Sequence, residues 1–172
     1  MILKGCTIFY PRLVNPNPKF DPDNPTWEVC IRTVDKATNK LWKESGVTTK
    51  AVVPDDGEPY FEARLKKRKF KKTGEENQPP DCVDGARNEV DGNTVGNGSI
   101  GNIRVFQYQY GDNKEKTANV LMAIQLVRHI KYTPKSREDF DECTTEIVTA
   151  AEESMDESSQ DNHEKAADDD VY

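Results

Sequence analysis

The chain carries little that could hold a metal. Its 172 residues include only two histidines, His129 and His163, and the four cysteines, Cys6, Cys30, Cys82 and Cys143, are scattered with no Cys-x-x-Cys pair. That spacing argues against a zinc site, and reduced thiols on half-buried strands are the expectation. No stretch approaches about 18 consecutive apolar residues, so no membrane-spanning helix is expected. The opening MILKGCTIFYPRLV is broken by Lys4 and Gly5 and lacks the charged-then-apolar plan of a secretory signal. Long helical periodicity is scarce too. Apolar residues make up 34% of the chain and its mean hydropathy is −0.86, a composition in which part of the sequence is expected to stay unpacked.

Charge is present in quantity and unevenly placed. The formal net charge is −7, from 24 Lys and Arg against 31 Asp and Glu. Residues 138–172 hold 14 of the acids and one lysine, a net of −13, which leaves residues 1–137 with 23 cations, 17 acids and a net of +6. Two regions follow: a basic domain over 1–137 and an acidic, largely disordered tail over 138–172. A basic domain suits a polyanionic partner, and such a tail suits a brake or a docking segment. The tail closes on Asp168, Asp169, Asp170, Val171 and Tyr172, where an aromatic after an acidic run reads as something to be gripped.

Period-two alternation predicts five strands. ILKGCTIFY is the first, closed by Pro11, and the loop NPNPKFDPDNPT follows with prolines that cannot join a central ladder. WEVCIRTV alternates Trp27, Val29 and Ile31 against Glu28, Cys30 and Arg32. DKATNKLWKESG reads as a short helix with Asp35 as N-cap and Gly46 past its end. After the turn PDDGEP, YFEARLKKRKFKK sets Phe61, Ala63 and Leu65 against Glu62, Arg64, Lys66, Arg68 and Phe70. A long polar connection over 74–99 leads to IRVFQYQY and ANVLMAIQLVRHIKY, a hairpin around GDNKEK. The expected fold is mainly β: a five-stranded Greek-key barrel of the oligonucleotide-binding type with a short helix and long loops, a β-sandwich being the alternative. Beyond Pro134, Phe140, Cys143, Ile147 and Ala151 would share one face of a short acidic helix.

Two motifs imitate enzyme signatures. GNGSIG at 96–101 fits G-x-G-x-x-G, but a polar loop precedes it and a β-rich segment follows, so it reads as a glycine-rich turn. PDDGEPYFEARLK approaches the metal-dependent nuclease pattern through Asp55 and Glu62. There Arg64 stands where that pattern has lysine, and arginine cannot act as a neutral base. The strongest charge feature is RLKKRKFKK, with seven cations in nine residues. Arg64, Lys66, Arg68 and Phe70 on one face, and Arg104, Phe106, Tyr108 and Tyr110 on another, combine charge for phosphates with rings for bases.

Taken together, KGCTIFYPRLVNPNP, PYFEARLKKRKFKKTG, VGNGSIGNIRVFQYQY and VLMAIQLVRHIKY, followed by an acidic tail with a terminal aromatic, resemble the single-stranded DNA-binding proteins of tailed bacteriophages. The resemblance covers nearly the whole chain. It implies an oligonucleotide-binding barrel that coats exposed single strands in phage replication and recombination, in the host cytoplasm, with no catalysis and no cofactor. It further implies that Asp168, Asp169, Asp170 and Tyr172 dock replication proteins such as a polymerase, helicase or primase. Tyr172 stands where the family commonly ends in phenylalanine, so the docking pocket it meets would differ. An RNA-binding barrel of the cold-shock kind would use the same rings and cations. A metal-dependent nuclease, or a DNA mimic acting through the acidic part, are the other readings.

Overall fold

The computed structural model describes residues 1–112 and 115–134. The expected boundary at 137, the acidic helix and the tail with Asp168, Asp169, Asp170 and Tyr172 lie outside the described residues. Met1–Pro134 form one compact unit. Its elements are β1 (Ile2–Asn17), β2 (Thr26–Thr33), α1 (Lys36–Glu44), β3 (Lys50–Val52), β4 (Tyr60–Arg68), β5 (Asp81–Val83), a 3-10 turn over Gly92–Thr94, β6 (Ser99–Tyr110) and β7 (Lys116–Arg128).

Five strands close a barrel in the order β1-β2-β4-β7-β6 and back to β1. Every neighbouring pair in it is antiparallel except β4 and β7, which meet in parallel at Lys66 and Val120. This is the expected Greek-key barrel. Alternation builds its interior: Ile8, Val29, Ile31, Leu65, Ile103, Val105, Leu121 and Ile124 are fully buried.

Helix α1 forms where the sequence places it. Asp35 caps it by accepting from the backbone N–H groups of Ala37 and Thr38 and from the Thr38 hydroxyl. Those bonds, the Thr38 hydroxyl first, hold the Asp35 carboxyl below its usual range. Gly46 takes φ 80° just past the end, the left-handed conformation that terminates helices. The helix buries Trp42, and Val47 follows it into the core.

Three expectations need correction. Strand β1 does not stop at Pro11 but runs on to Asn17. Its pairing with β2 is irregular between Phe9 and Arg12 and again between Arg12 and Asn17, and Pro11 and Pro16 fall in those gaps, where no ladder N–H is required. The strands β3 and β5 were not foreseen. Each is three residues long, β3 pairing with β4 and β5 running parallel to β7, too short for alternation to show. Phe70 lies beyond the end of β4, in an isolated bridge to Glu76.

Candidate nucleic-acid interface

Register carries the outward-facing residues of all five barrel strands into one belt. Arg12 of β1 lies opposite Glu28 of β2, Glu28 opposite Lys66 of β4, Lys66 beside Val120 of β7, and Val120 opposite Phe106 of β6. Directly paired residues point to the same side of a sheet. Lys66 and Phe106 are therefore two strands apart on one outer surface, roughly 10 Å at ordinary strand spacing. The cationic strand and the aromatic strand, far apart in sequence, are joined across the β4–β7 closure.

On β4, Arg64, Lys66 and Arg68 are exposed, while Ala63, Leu65 and Lys67 turn inward and are buried. Arg64 makes no ion pair among the described residues, whereas Arg68 reaches Asp21 at 3.4 Å. On β6, Ile103 and Val105 are buried, Arg104 is exposed, and Phe106, Tyr108 and Tyr110 keep about half of their surface in solvent, at 56%, 49% and 49%. Their rings form a ladder with centroids 6.3 and 6.2 Å apart, close to the roughly 6.7 Å repeat of alternate strand residues. The opposite face of this hairpin rests on the end of α1. Gln107 Nε2 donates to the Ser45 carbonyl at 2.7 Å, and Asn119 Nδ2 donates to the Gly46 carbonyl at 2.9 Å. The rings stand on a braced arm.

Phe70 is half-buried rather than displayed on the strand face. Asn24 holds its backbone from both sides, accepting from Phe70 N and donating to Phe70 O, and Lys69 Nζ lies 5.3 Å from its ring centre.

A second cluster was missed by strand alternation. Tyr10 has φ 50°, a conformation uncommon for a residue with a side chain. This kink breaks the period, so Phe9 and its neighbour Tyr10 both approach Arg32, with ring centres 4.2 and 5.3 Å from the guanidinium carbon. Tyr60 closes the other side at 4.5 Å. Glu62 anchors the stack, accepting from Arg32 Nε at 3.2 Å. Above β2, the loop of residues 18–25 carries Phe20, 67% exposed, with Lys66 Nζ 5.2 Å and Lys19 Nζ 5.7 Å from its ring. Within the belt, Glu28 is buried. Its Oε1 accepts from Asn17 Nδ2 at 2.7 Å, and among the described residues its Oε2 has no partner.

The sequence contained traces of this cluster. Two adjacent aromatics, Phe9 and Tyr10, cannot both enter a core under period two, and Phe20 stands alone among prolines and aspartates with nothing to bury it.

The enzyme-like motifs resolve differently. In GNGSIG, Gly98 N donates to the Ile8 carbonyl at 2.8 Å and strand β6, not a helix, follows. At Gly101 a Cβ would lie 2.9 Å from the Gln125 carbonyl oxygen, so the glycine lets β6 approach β7. Glu62 of the nuclease-like stretch is engaged by Arg32 and also by the Cys30 thiol at 3.3 Å, while Asp55 sits in the exposed β3–β4 turn. Among the described residues no three His, Cys, Asp or Glu side chains gather as a metal site would need, and no helix is long and apolar enough to cross a membrane.

No family model matches the chain, and no curated protein matches it. Among solved structures it is similar to the single-stranded DNA-binding protein from bacteriophage Enc34 in complex with ssDNA, with a TM-score of 0.52 and 15% identity over 75% of this chain and 86% of that one. It is also similar to gp2.5, a single-stranded DNA-binding protein encoded by bacteriophage T7, with a TM-score of 0.49 and 13% identity over 83% of this chain and 97% of that one. Strand order, the parallel closure and the first of these likenesses agree on the architecture: the chain folds as an oligonucleotide-binding barrel.

Proposed function

We propose that this chain binds single-stranded DNA, without catalysis and with little sequence preference, across the outer face of the barrel. The observation that carries the reading is the exposed ladder of Phe106, Tyr108 and Tyr110 on the same surface as Arg64, Lys66 and Arg68. Cations track phosphates and release counterions, while rings stack on bases at about 1–3 kcal/mol each. Barrels of this type use the face of their second and third strands with the loops beside it, which here are β2, β4, the loop of 18–25 and the β6–β7 hairpin. Arg104 extends the positive charge along β6. A duplex keeps its bases stacked inside and offers these rings nothing.

The solved likeness is to a protein described with single-stranded DNA, which supports the choice of ligand. The cellular role in this reading is to coat single strands in phage replication and recombination, in the host cytoplasm. Asp168, Asp169, Asp170 and Tyr172 dock replication proteins, a polymerase, helicase or primase among them. A fluorescence titration with matched single-stranded DNA, single-stranded RNA and duplex at two salt concentrations tests the binding. The expected order places single-stranded DNA first, with affinity falling as salt rises. Tighter binding of RNA would favour the cold-shock alternative, and no preference over duplex would end the proposal.

A further inference from the structure

Beside Tyr10 lies a cavity of about 340 Å³ that Arg32 does not line. That volume is at the small end of ligand pockets, which span about 300–1,000 Å³. Tyr10 and Tyr132 line it and are 58% and 59% exposed. Leu13 and Val95, both buried, also line it. The backbone of residues 92–96 supports it closely: a Cβ at Gly92 would lie 2.8 Å from Leu13 Cβ, and one at Gly96 would lie 2.8 Å from the Ile130 carbonyl oxygen. Tyr132 is held there after β7 ends, because Val95 bridges to Lys131 and Tyr132 N donates to the Thr94 carbonyl at 2.8 Å.

The polar lining is suited to a planar heterocycle. Asn97 Oδ1 accepts from Tyr10 N at 2.6 Å. That bond pins the amide, and among the described residues its Nδ2 has no partner. Among the described residues the side-chain amides of Asn15 and Asn93 also have none, and Arg12 makes no ion pair. Carboxamides pair with the donor and acceptor edges of bases. Rings supply stacking surface, and a nearby guanidinium suits the linking phosphate.

We infer that this cavity accepts one unstacked nucleobase of the strand bound on the barrel face, stacked against Tyr132 with its edge on the Asn97 amide and its phosphate near Arg12. The inference rests on the proposed function and extends it to a second, discrete subsite. Tyr10 links the two, since its ring also lies 5.3 Å from the Arg32 guanidinium. The kink at Tyr10 has a use on this reading: it lets one residue border both the continuous face and the pocket.

The test uses the full chain and oligodeoxythymidylates of graded length, with 2-aminopurine placed at successive positions in a parallel set. Wild-type affinity should step up by roughly tenfold, the scale of one stacked base, at the length that first reaches the cavity. At that length one 2-aminopurine position should become strongly quenched. Tyr132→Ala should abolish the step and the quenching while matching wild type on shorter oligonucleotides, and Tyr132→Phe should keep both. Asn97→Ala should lower the step. Tyr132→Ala binding as wild type at every length would overturn the subsite, and so would equal losses at every length, which would assign the ring to the main face. In either case wild-type binding weakened by the Arg64→Ala/Arg68→Ala double variant would leave the proposed function standing; its failure would show instead as no single-strand binding at any length.

Discussion

Arg32 holds its guanidinium carbon 4.2 Å from the centre of the Phe9 ring. The pair is stacked between neighbouring strands and tied down by Glu62, with only 19% of the arginine side chain exposed. A cation so placed is pre-positioned for a phosphate at small entropic cost, and its planar shape matters as much as its charge. Arg32→Lys keeps the charge and loses the stack. It should weaken single-strand binding, while Arg32→Ala should weaken it further and cost about 1–2 kcal/mol of stability. Chemical denaturation beside anisotropy titrations measures both, and an Arg32→Lys protein indistinguishable from wild type would refute the role of the stack.

Among the cations of β4, Arg64 makes no ion pair with a described residue and Arg68 is paired with Asp21. Arg64→Ala should weaken binding alike on all sequences and reduce the salt slope by about 0.7, one phosphate contact on a single strand. Asp21→Ala should do the reverse at low salt by releasing Arg68. Log–log plots of affinity against salt give these slopes directly. The double variant Arg64→Ala/Arg68→Ala binding as wild type at low salt would remove the face from consideration.

The rings of β6 should separate binding from folding. Phe106→Ala, Tyr108→Ala and Tyr110→Ala each remove a half-exposed ring, so stability should change by no more than about 0.5 kcal/mol. Affinity should fall by about 1–3 kcal/mol for each ring that stacks. Trp42→Ala is the contrast, a buried ring whose loss should cost about 3–5 kcal/mol. Large stability losses at all three β6 positions would show that the ladder braces the fold.

The thiols make stability fall with rising pH. Burial pushes Cys6 from 9.0 up to about 12. Burial first, and then the Glu62 carboxylate, push Cys30 from 9.0 to about 11. Burial and then Asp91 do the same for Cys82, from 9.0 to about 11. The folded chain keeps these protons at a pH where the unfolded chain has released them. Their contribution is therefore complete below pH 9.0 and is lost as pH climbs through about 11 and 12. Urea midpoints from pH 8 upward should fall more steeply for wild type than for a variant with Ala at positions 6, 30 and 82. Parallel slopes would contradict the assignment.

For the tail, charge alone sets the expectation. Residues 152–172 hold nine acids and one lysine, a charge that on the proposed reading would compete with DNA for the cations of the barrel. Deleting them should tighten binding at low salt, and the gain should shrink as salt rises, since exposed charges beyond about 8 Å are screened at physiological strength. Tyr172→Ala should leave DNA affinity in place and reduce capture of a replication partner. A truncated chain that binds no more tightly at low salt would rule out the competition.

Much of the barrel was legible because its signal is local. Ile103 and Val105 against Arg104, Phe106, Tyr108 and Tyr110 is a period-two pattern that needs no tertiary information, and the Asp35 cap and Gly46 stop are equally local. The Arg32 cluster was not legible in this way. It depends on the left-handed turn at Tyr10 and on pairing between β1, β2 and β4, which no single stretch encodes. The joining of Lys66 to Phe106 through Val120 was hidden for the same reason, since barrel closure relates residues 40 positions apart. Phe70 went astray because alternation was carried past the strand's end, where Asn24 redirects the backbone.

The closure itself behaves as a seam. β4 and β7 share one ladder position, Lys66 with Val120, whereas β6 and β7 are paired along eleven. If the barrel breathes, it does so there, and amides of β4 beside the seam should exchange with solvent sooner than those of the β6–β7 hairpin. A strand lying from Lys66 to Phe106 would be a stitch across that gap. Its grip would be felt as resistance to heat as well as affinity, rising with the concentration of the oligonucleotide.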